Sequence, residues 1–269
     1  MIAWPRFSSY NSPQFRKLRK QIRNPGPGTP KAWAYPWCVL NSHLRPYLLS
    51  LDLGCGSWSN FIEYVSRITG GLAVGMDLEH LQQDVCNVRF VKGDIRRIGF
   101  PDEFFDRVFS ISVLEHVPVA DRKKVFNELF RVLRPGGLAV LTIDNVFHMN
   151  DTLLEQLVTS RHLAKIGSNI YGNYDFAKLI CDHAHVAEPL ETIDWRWVPG
   201  SPDFDEERIL ADKDILVRKS TDIPDVGLFV YTTIGIIFRK HGTAPNYRGS
   251  GRRALLRYAI RRGLSKRYL

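Results

Sequence analysis

Apolar residues along the middle of this chain fall into two alternating rhythms. Short, dense apolar runs occur at 48–53, 72–76, 88–91, 107–112 and 138–143. Their length and density suit strands buried on both faces. Between them the spacing becomes helical. Phe61, Ile62, Val65 and Ile68 share one helical face, which Gly70 and Gly71 terminate. Val125, Phe126, Leu129, Phe130 and Leu133 share another, with Asp121 as the expected cap and Pro135-Gly136-Gly137 as the stop. Runs at 190–198 and 228–238 predict two further strands, antiparallel neighbours at one edge of the sheet. Strands alternating with helices predict an α/β fold, a parallel sheet covered on both faces and doubly wound by right-handed crossovers. Ligands of such sheets sit at the carboxyl ends of the strands, where the strand order reverses.

The pattern sets the expected domain limits. Residues 1–30 form a basic N-terminal extension, closed by the turn-rich Asn24-Pro25-Gly26-Pro27-Gly28-Thr29-Pro30. Residues 31–241 form the α/β domain, with insertions near 150–187 and 199–226 suited to covering a substrate, and 242–269 form a basic C-terminal tail. Trp33, Tyr35 and Trp37 are expected to pack in the core, with covering a bound ligand as the alternative.

Charge changes this picture only at the ends. The formal net charge is +9, yet residues 1–24 carry six Lys/Arg and no acid, 248–269 carry eight and no acid, and the remainder is −5. In the tail, Arg253, Arg257 and Arg261 share one helical face, and Leu256, Ala259 and Ile260 share another. Such a segment suits either peripheral contact with an anionic membrane or a solvated, disordered tail; the expected location is cytoplasmic, with peripheral contact at the inner face of the membrane as the option the tail adds. No apolar stretch is long enough to span a bilayer, and the start of the chain has no apolar signal region. The four cysteines, Cys38, Cys55, Cys86 and Cys181, form no C-x-x-C pair, which fits free thiols and no metal site.

The candidate chemistry lies at the ends of the predicted strands. After the first, Asp52-Leu53-Gly54-Cys55-Gly56-Ser57 places two glycines where a backbone must turn sharply and approach a ligand closely. A helix beginning near Ser59 would offer free amides there. Asp77 ends the second strand, placed to accept hydrogen bonds from two ribose hydroxyls. Asp94 ends the third; it is either a turn residue after Gly93 or an acceptor for an adenine amino group with Ile95 on the ring. A dinucleotide dehydrogenase is disfavoured, because Ser59 stands where its motif requires the third glycine.

Taken in order, Asp52-Leu53-Gly54-Cys55-Gly56, Asp77, Gly93-Asp94, Phe105-Asp106-Arg107-Val108, Ser112-Val113-Leu114-Glu115-His116-Val117 and Leu133-Arg134-Pro135-Gly136-Gly137-Leu138 resemble the class I S-adenosylmethionine-dependent methyltransferases. The closest likeness is to the ubiquinone/menaquinone-type subgroup, which includes many sugar and natural-product enzymes. The resemblance covers residues 48–145. It implies a Rossmann-like seven-stranded sheet, mostly parallel with an antiparallel last strand, and S-adenosylmethionine as cofactor. It further implies that Asp52, Gly54 and Gly56 hold the methionine part, Asp77 the ribose, and Asp94 with Ile95 the adenine. Ser112 would lie near the sulfur, and Cys55 and Leu78 complete the cofactor-binding set. Trp58 departs from the pattern, standing where a third glycine is usual.

His116 is the candidate catalytic residue, a neutral imidazole able to take a proton from an acceptor; the alternative is a cap for the following helix. Asp144-Asn145 resembles a magnesium pair of catechol-type enzymes, but such a site needs another carboxylate, and Glu115 is poorly spaced for it; a pocket-lining loop is the better reading. The expected reaction is methyl transfer to oxygen or nitrogen of a small-molecule or glycan-type acceptor. The signatures of amino-methylating adenine enzymes and of cytosine C5 enzymes are missing, which weakens nucleic acid as partner. A nucleic-acid methyltransferase using the basic ends, and a catalytically silent binding protein, are the alternatives.

Overall fold

The computed structural model describes residues 2–22, 31–56, 60–79, 84–85, 87–147, 176–215, 218–220 and 229–243. The described strands are β1 (Ile2–Ala3), β2 (Ser50–Leu53), β3 (Ala73–Asp77), β4 (Val88–Lys92), β5 (Phe105–Ile111), β6 (Leu133–Phe147), β7 (Ala187–Pro189), β8 (Arg218–Ser220) and β9 (Phe229–Lys240). The described helices are α1 (Phe7–Tyr10), α2 (Pro13–Ile22), α3 (Lys31–Asn41), α4 (Asn60–Thr69), α5 (Val119–Val132), α6 (Phe176–Asp182) and α7 (Glu206–Ala211).

All nine strands join one sheet, in the order β4-β3-β2-β5-β6-β9-β1 with β7 and β8 also on β9. β2 to β6 are mutually parallel, and β9 runs antiparallel to β6 from Leu138 opposite Arg239 to Phe147 opposite Val230. This is the doubly wound, mostly parallel sheet expected, with its antiparallel strand; β1 and β8 are short additions. The chain runs outward from β2 to β4, then crosses to β5 and β6, so the order reverses between β2 and β5.

The alternation of side chains along each strand builds a separate core on each face. Phe109, Val140 and Ile237 face α2, α3 and α4, where they meet Trp37, Phe61 and Val65. Val108, Ala139, Leu141, Ile236 and Phe238 face α5 and α6, where they meet Phe126, Phe130 and Ile180. Residues 2–22 pack onto the domain. β1 pairs with Gly235 and Ile236 of β9, and Phe15, Leu18 and Ile22 of α2 enter the first of these cores. Trp33 and Trp37 stack with ring centroids 5.3 Å apart, so the aromatic stretch is core packing on α3, as expected.

Three elements differ from the sequence reading. α5 begins at Val119 after Pro118, and Asp121 lies within its first turn rather than at its cap. The Asp121 carboxylate instead accepts a bond from Arg96 at 2.8 Å. β6 starts at Leu133, because Pro135-Gly136-Gly137 continues the strand through a register shift opposite Phe105 and Arg107. The strand expected at 190–198 does not form; the short β7, Ala187–Pro189, stops just before it. Beyond it, Asp194 accepts the Arg196 N–H and starts a single 3-10 turn at Trp195–Trp197. Most of the insertion near 150–187, part of that near 199–226, Ser57, Trp58, Ser59 and the tail 248–269 lie outside the described residues.

The Phe105-Asp106-Arg107 motif locks the end of the sheet opposite the predicted site. Asp106 accepts the Leu49 N–H at 2.7 Å and pairs with Arg134 at 2.6 Å. Arg107 donates to the carbonyls of Ser42 and His43 at 2.6 and 2.9 Å. Its burial pushes the guanidinium down to about 10, still a cation at neutral pH.

Candidate active site at the carboxyl ends of the strands

β2 ends in a turn that two glycines make possible. Gly54 has φ 68° and Gly56 φ 71°, in the region that side chains rarely occupy. The two serve different needs. A Cβ on Gly54 would lie 2.5 Å from a methyl of Val113, so the following loop sits directly on this residue. A Cβ on Gly56 would meet nothing within 4 Å among the described residues. Its backbone therefore borders open space, a cradle that a ligand can enter and a side chain would fill.

The turn is fixed to β3. Gly54 and Cys55 donate to the Met76 carbonyl at 2.8 and 3.1 Å. Gly56 donates its N–H to Asp77 Oδ2 at 2.8 Å, and Glu79 donates to Oδ1 at 3.2 Å. Asp77 thus shapes the loop while remaining half-exposed. Leu78 beside it is 58% exposed, an apolar surface that a ligand would cover. Asp52 is buried under the turn. Burial, and then the Asp52 charge, push the Tyr35 hydroxyl and the Cys38 and Cys55 thiols up, so all three are neutral. Tyr35 and Cys38 come from α3, which packs close to Asp52. The aromatic stretch that the sequence offered either as core or as a cover for the cofactor is thus core packing that also borders this part of the site. Cys38, Cys55 and Cys181 are free thiols.

Asp94 lies half-buried after β4, one strand beyond Asp77. Arg96 engages both of its oxygens, with Nε at 3.0 Å from each and a second nitrogen at 2.7 Å from Oδ2. These hydrogen bonds hold the Asp94 carboxyl below the usual carboxylate range. Ile95 is buried next to it in the core. Arg96 follows Asp94 in the same turn, but its link to Asp121 was not visible in the sequence, because Asp121 lies 25 residues on, in α5.

Across the strand-order reversal stands a second polar group. Ser112 follows β5 with φ 53°, strained for a side-chain-bearing residue. Its N–H donates to Thr142 O at 2.9 Å and its hydroxyl to Asp144 Oδ1 at 3.3 Å. Thr233 of β9 donates to the same oxygen at 2.7 Å. The Asp144 N–H donates to Glu115 Oε1 at 3.2 Å. Glu115 therefore does lie beside Asp144, although it is fully buried. Among the described residues no group of three His, Cys, Asp or Glu side chains has metal-ligand geometry. His116 is exposed at the end of the 3-10 turn Leu114–His116. Burial raises the Asp144 carboxyl above its ordinary range, and the Thr233 and Ser112 hydroxyls, His116 and Lys31 offset part of that rise.

The site therefore has two halves, a glycine turn with Asp77 and Asp94 on one side and Ser112, Asp144 and His116 on the other. Residues 51–141 match the family Methyltransf_11, described as a methyltransferase domain. The chain therefore carries a methyltransferase domain over residues 51–141. The methyltransferase domain has the fold of the YcgJ protein from Bacillus subtilis, at TM-score 0.51 and 17% identity over 78% of this chain and 99% of that one. It also has the fold of a geranyl diphosphate C-methyltransferase from Streptomyces coelicolor, at TM-score 0.52 and 13% identity over 86% of this chain and 99% of that one. In sequence the chain is 28% identical over 192 residues to a sterol 24-C-methyltransferase of Gibberella zeae, covering 64% of this chain and 49% of the relative. It is 35% identical over 106 residues to that of Yarrowia lipolytica, covering 35% of this chain and 27% of the relative. The chain thus spans about half, or less, of the length of these relatives.

Proposed function

We propose that the protein transfers a methyl group from S-adenosylmethionine to a small-molecule acceptor. The observation that carries this reading is the Gly54–Gly56 turn, open at Gly56 and fastened to Asp77, at the carboxyl ends of β2 and β3. When bound, S-adenosylmethionine supplies a methyl group on a positively charged sulfur, a good leaving group. Asp52, Gly54, Cys55 and Gly56 would hold its methionine part, Asp77 and Leu78 its ribose, and Asp94 and Ile95 its adenine. Asp77 would then keep its bond to the loop and offer its remaining acceptor capacity to ribose hydroxyls. Ser112 would stand at the junction with the acceptor half. Much of the chemistry can rest on holding acceptor and methyl group in line.

The names of the relatives support an apolar acceptor methylated at carbon. Methylation at oxygen or nitrogen is the second reading. It is favoured by the exposed His116, whose imidazole can take a proton from a hydroxyl or amine. A panel of sterols, phenols and amines incubated with labelled cofactor separates the two. Label recovered in a sterol carbon supports the first, and label on oxygen or nitrogen the second.

The tail 248–269 is proposed to bring the protein to anionic membrane, where an apolar acceptor would be found. No helix among the described residues is long and apolar enough to cross a membrane.

A further inference from the structure

Two acidic residues, Glu115 and Asp144, are neighbours on the Ser112 side of the cleft, joined through the Asp144 backbone N–H, and their side chains differ in environment. Glu115 is 0% exposed. Its Oε1 takes the Asp144 N–H at 3.2 Å, and its Oε2 has no hydrogen-bond partner among the described residues. An ionised carboxylate with one bare, buried oxygen is costly, and a neutral acid is far less so. Asp144 is half-buried and takes two hydroxyl donors, Ser112 and Thr233, on one oxygen. Those two donors favour the charged form against the cost of burial, an offset that Glu115 Oε2 lacks. We propose that Glu115 and Asp144 share one proton, and that Asp144 takes up the proton an acceptor releases on methylation, a role resting on the methyl-transfer reading above.

The surrounding charges agree with this division. Burial, and then the charge of Asp144, push Glu115 up; Arg122 of α5 pulls weakly the other way. Burial also raises Asp144, while the Thr233 and Ser112 hydroxyls, His116 from the preceding turn and Lys31 from α3 lower it. With Glu115 fully buried and the Asp144 charge acting on it, ionising both at neutral pH is disfavoured.

Topology places Asp144 on the acceptor side. It lies near the carboxyl end of β6, one strand beyond β5, while Asp77 at the end of β3 and Asp94 just after β4 lie on the opposite side of the β2–β5 reversal. In the transfer, the carbon–sulfur bond of the methyl group breaks with its electron pair remaining on sulfur. A bond forms between that carbon and the acceptor atom, and the acceptor gives its proton to the Asp144 carboxylate. The same balance holds for carbon, oxygen or nitrogen. Glu115 acts through Asp144 and is a positioning residue.

Infrared spectroscopy of the ligand-free full chain at neutral pH tests the shared proton. The carbonyl stretch of a buried protonated carboxyl is expected, lost in Glu115→Gln and shifted in Asp144→Asn. Its absence from the wild-type spectrum would overturn the pair. Should Glu115→Gln fail to fold, an unshifted band in Asp144→Asn would overturn the pair equally. Calorimetry tests the placement without any acceptor. S-adenosylmethionine carries a positive sulfur and S-adenosylhomocysteine does not. In a His116→Gln background, which removes the imidazole, the affinity ratio of the two should rise about tenfold as pH increases and the pair loses its proton. Adding Asp144→Asn should lower the ratio about tenfold at neutral pH, where Asp144 carries the charge of the pair. An unchanged ratio would remove Asp144 from the methyl end. Failure of both ligands to bind would instead sink the methyl-transfer reading and the proton's role with it, while the infrared band reports separately on the pair.

Discussion

Gly54 and Gly56 show how one residue type answers two different demands. Both adopt positive φ, so alanine at either costs about 1–2 kcal/mol of backbone strain. At Gly54 the added methyl also strikes Val113, adding about 1–3 kcal/mol of overpacking. Gly54→Ala should therefore lower the urea midpoint clearly more than Gly56→Ala. Gly56→Ala should chiefly harm cofactor affinity, because its methyl points into the open cradle. Equal stability losses would contradict the assignment. Glu115 gives a pH-dependent counterpart. Its folded carboxyl titrates well above the unfolded value, so the stability it contributes is full below the unfolded range and lost as pH rises toward the folded value. Glu115→Gln, neutral throughout, should gain on the wild type in urea unfolding between about pH 5 and about pH 8. A difference that does not change with pH would contradict a buried acid here. The glycines and Asp77 were legible in the sequence because a glycine turn and a strand-end acid announce themselves locally. The Asp144 cluster was not. Ser112 lies 32 residues and Thr233 89 residues from Asp144, and only the sheet brings them together.

At the scale of elements, β9 holds the far side of the sheet. β6 covers one of its edges, and β7, β1 and β8 follow one another along the other. Three short segments so protect an edge that would otherwise be open to pairing with another chain. Gly235 is the tight point, since a Cβ there would lie 2.6 Å from the Trp37 ring. Gly235→Ala should cost about 1–3 kcal/mol by forcing α3 outward. Because α3 also carries Tyr35 and Cys38 over Asp52, the same change should weaken cofactor binding from a distance. Thermal unfolding and calorimetry of this variant check both effects; unchanged values in both would remove α3 from the border of the site. The parallel strands were readable from their apolar runs, each within a few residues of its position. The short β1, β7 and β8 were not, because two- or three-residue strands carry no periodicity and exist only through their partner.

For the whole molecule, charge is divided between body and ends. On α2 the basic residues Arg16, Lys17 and Lys20 are exposed while Phe15, Leu18 and Ile22 are buried, so part of the N-terminal charge sits on a folded surface. The tail is proposed to add reversible membrane attraction, each basic residue near the surface contributing about 1 kcal/mol. Truncation after Asn246 should reduce co-sedimentation with anionic vesicles at low salt; equal sedimentation of truncated and full-length protein would remove the tail's role. The central claim, however, concerns the cleft. It is tested most directly by calorimetry of the full chain with S-adenosylhomocysteine, beside an Asp77→Ala variant shown to fold. The account predicts saturable binding at one site per chain, weakened by about tenfold or more in Asp77→Ala, as expected for losing hydrogen bonds to a charged acceptor. No heat of binding from the folded wild-type protein, or equal affinity in the two proteins, would contradict it.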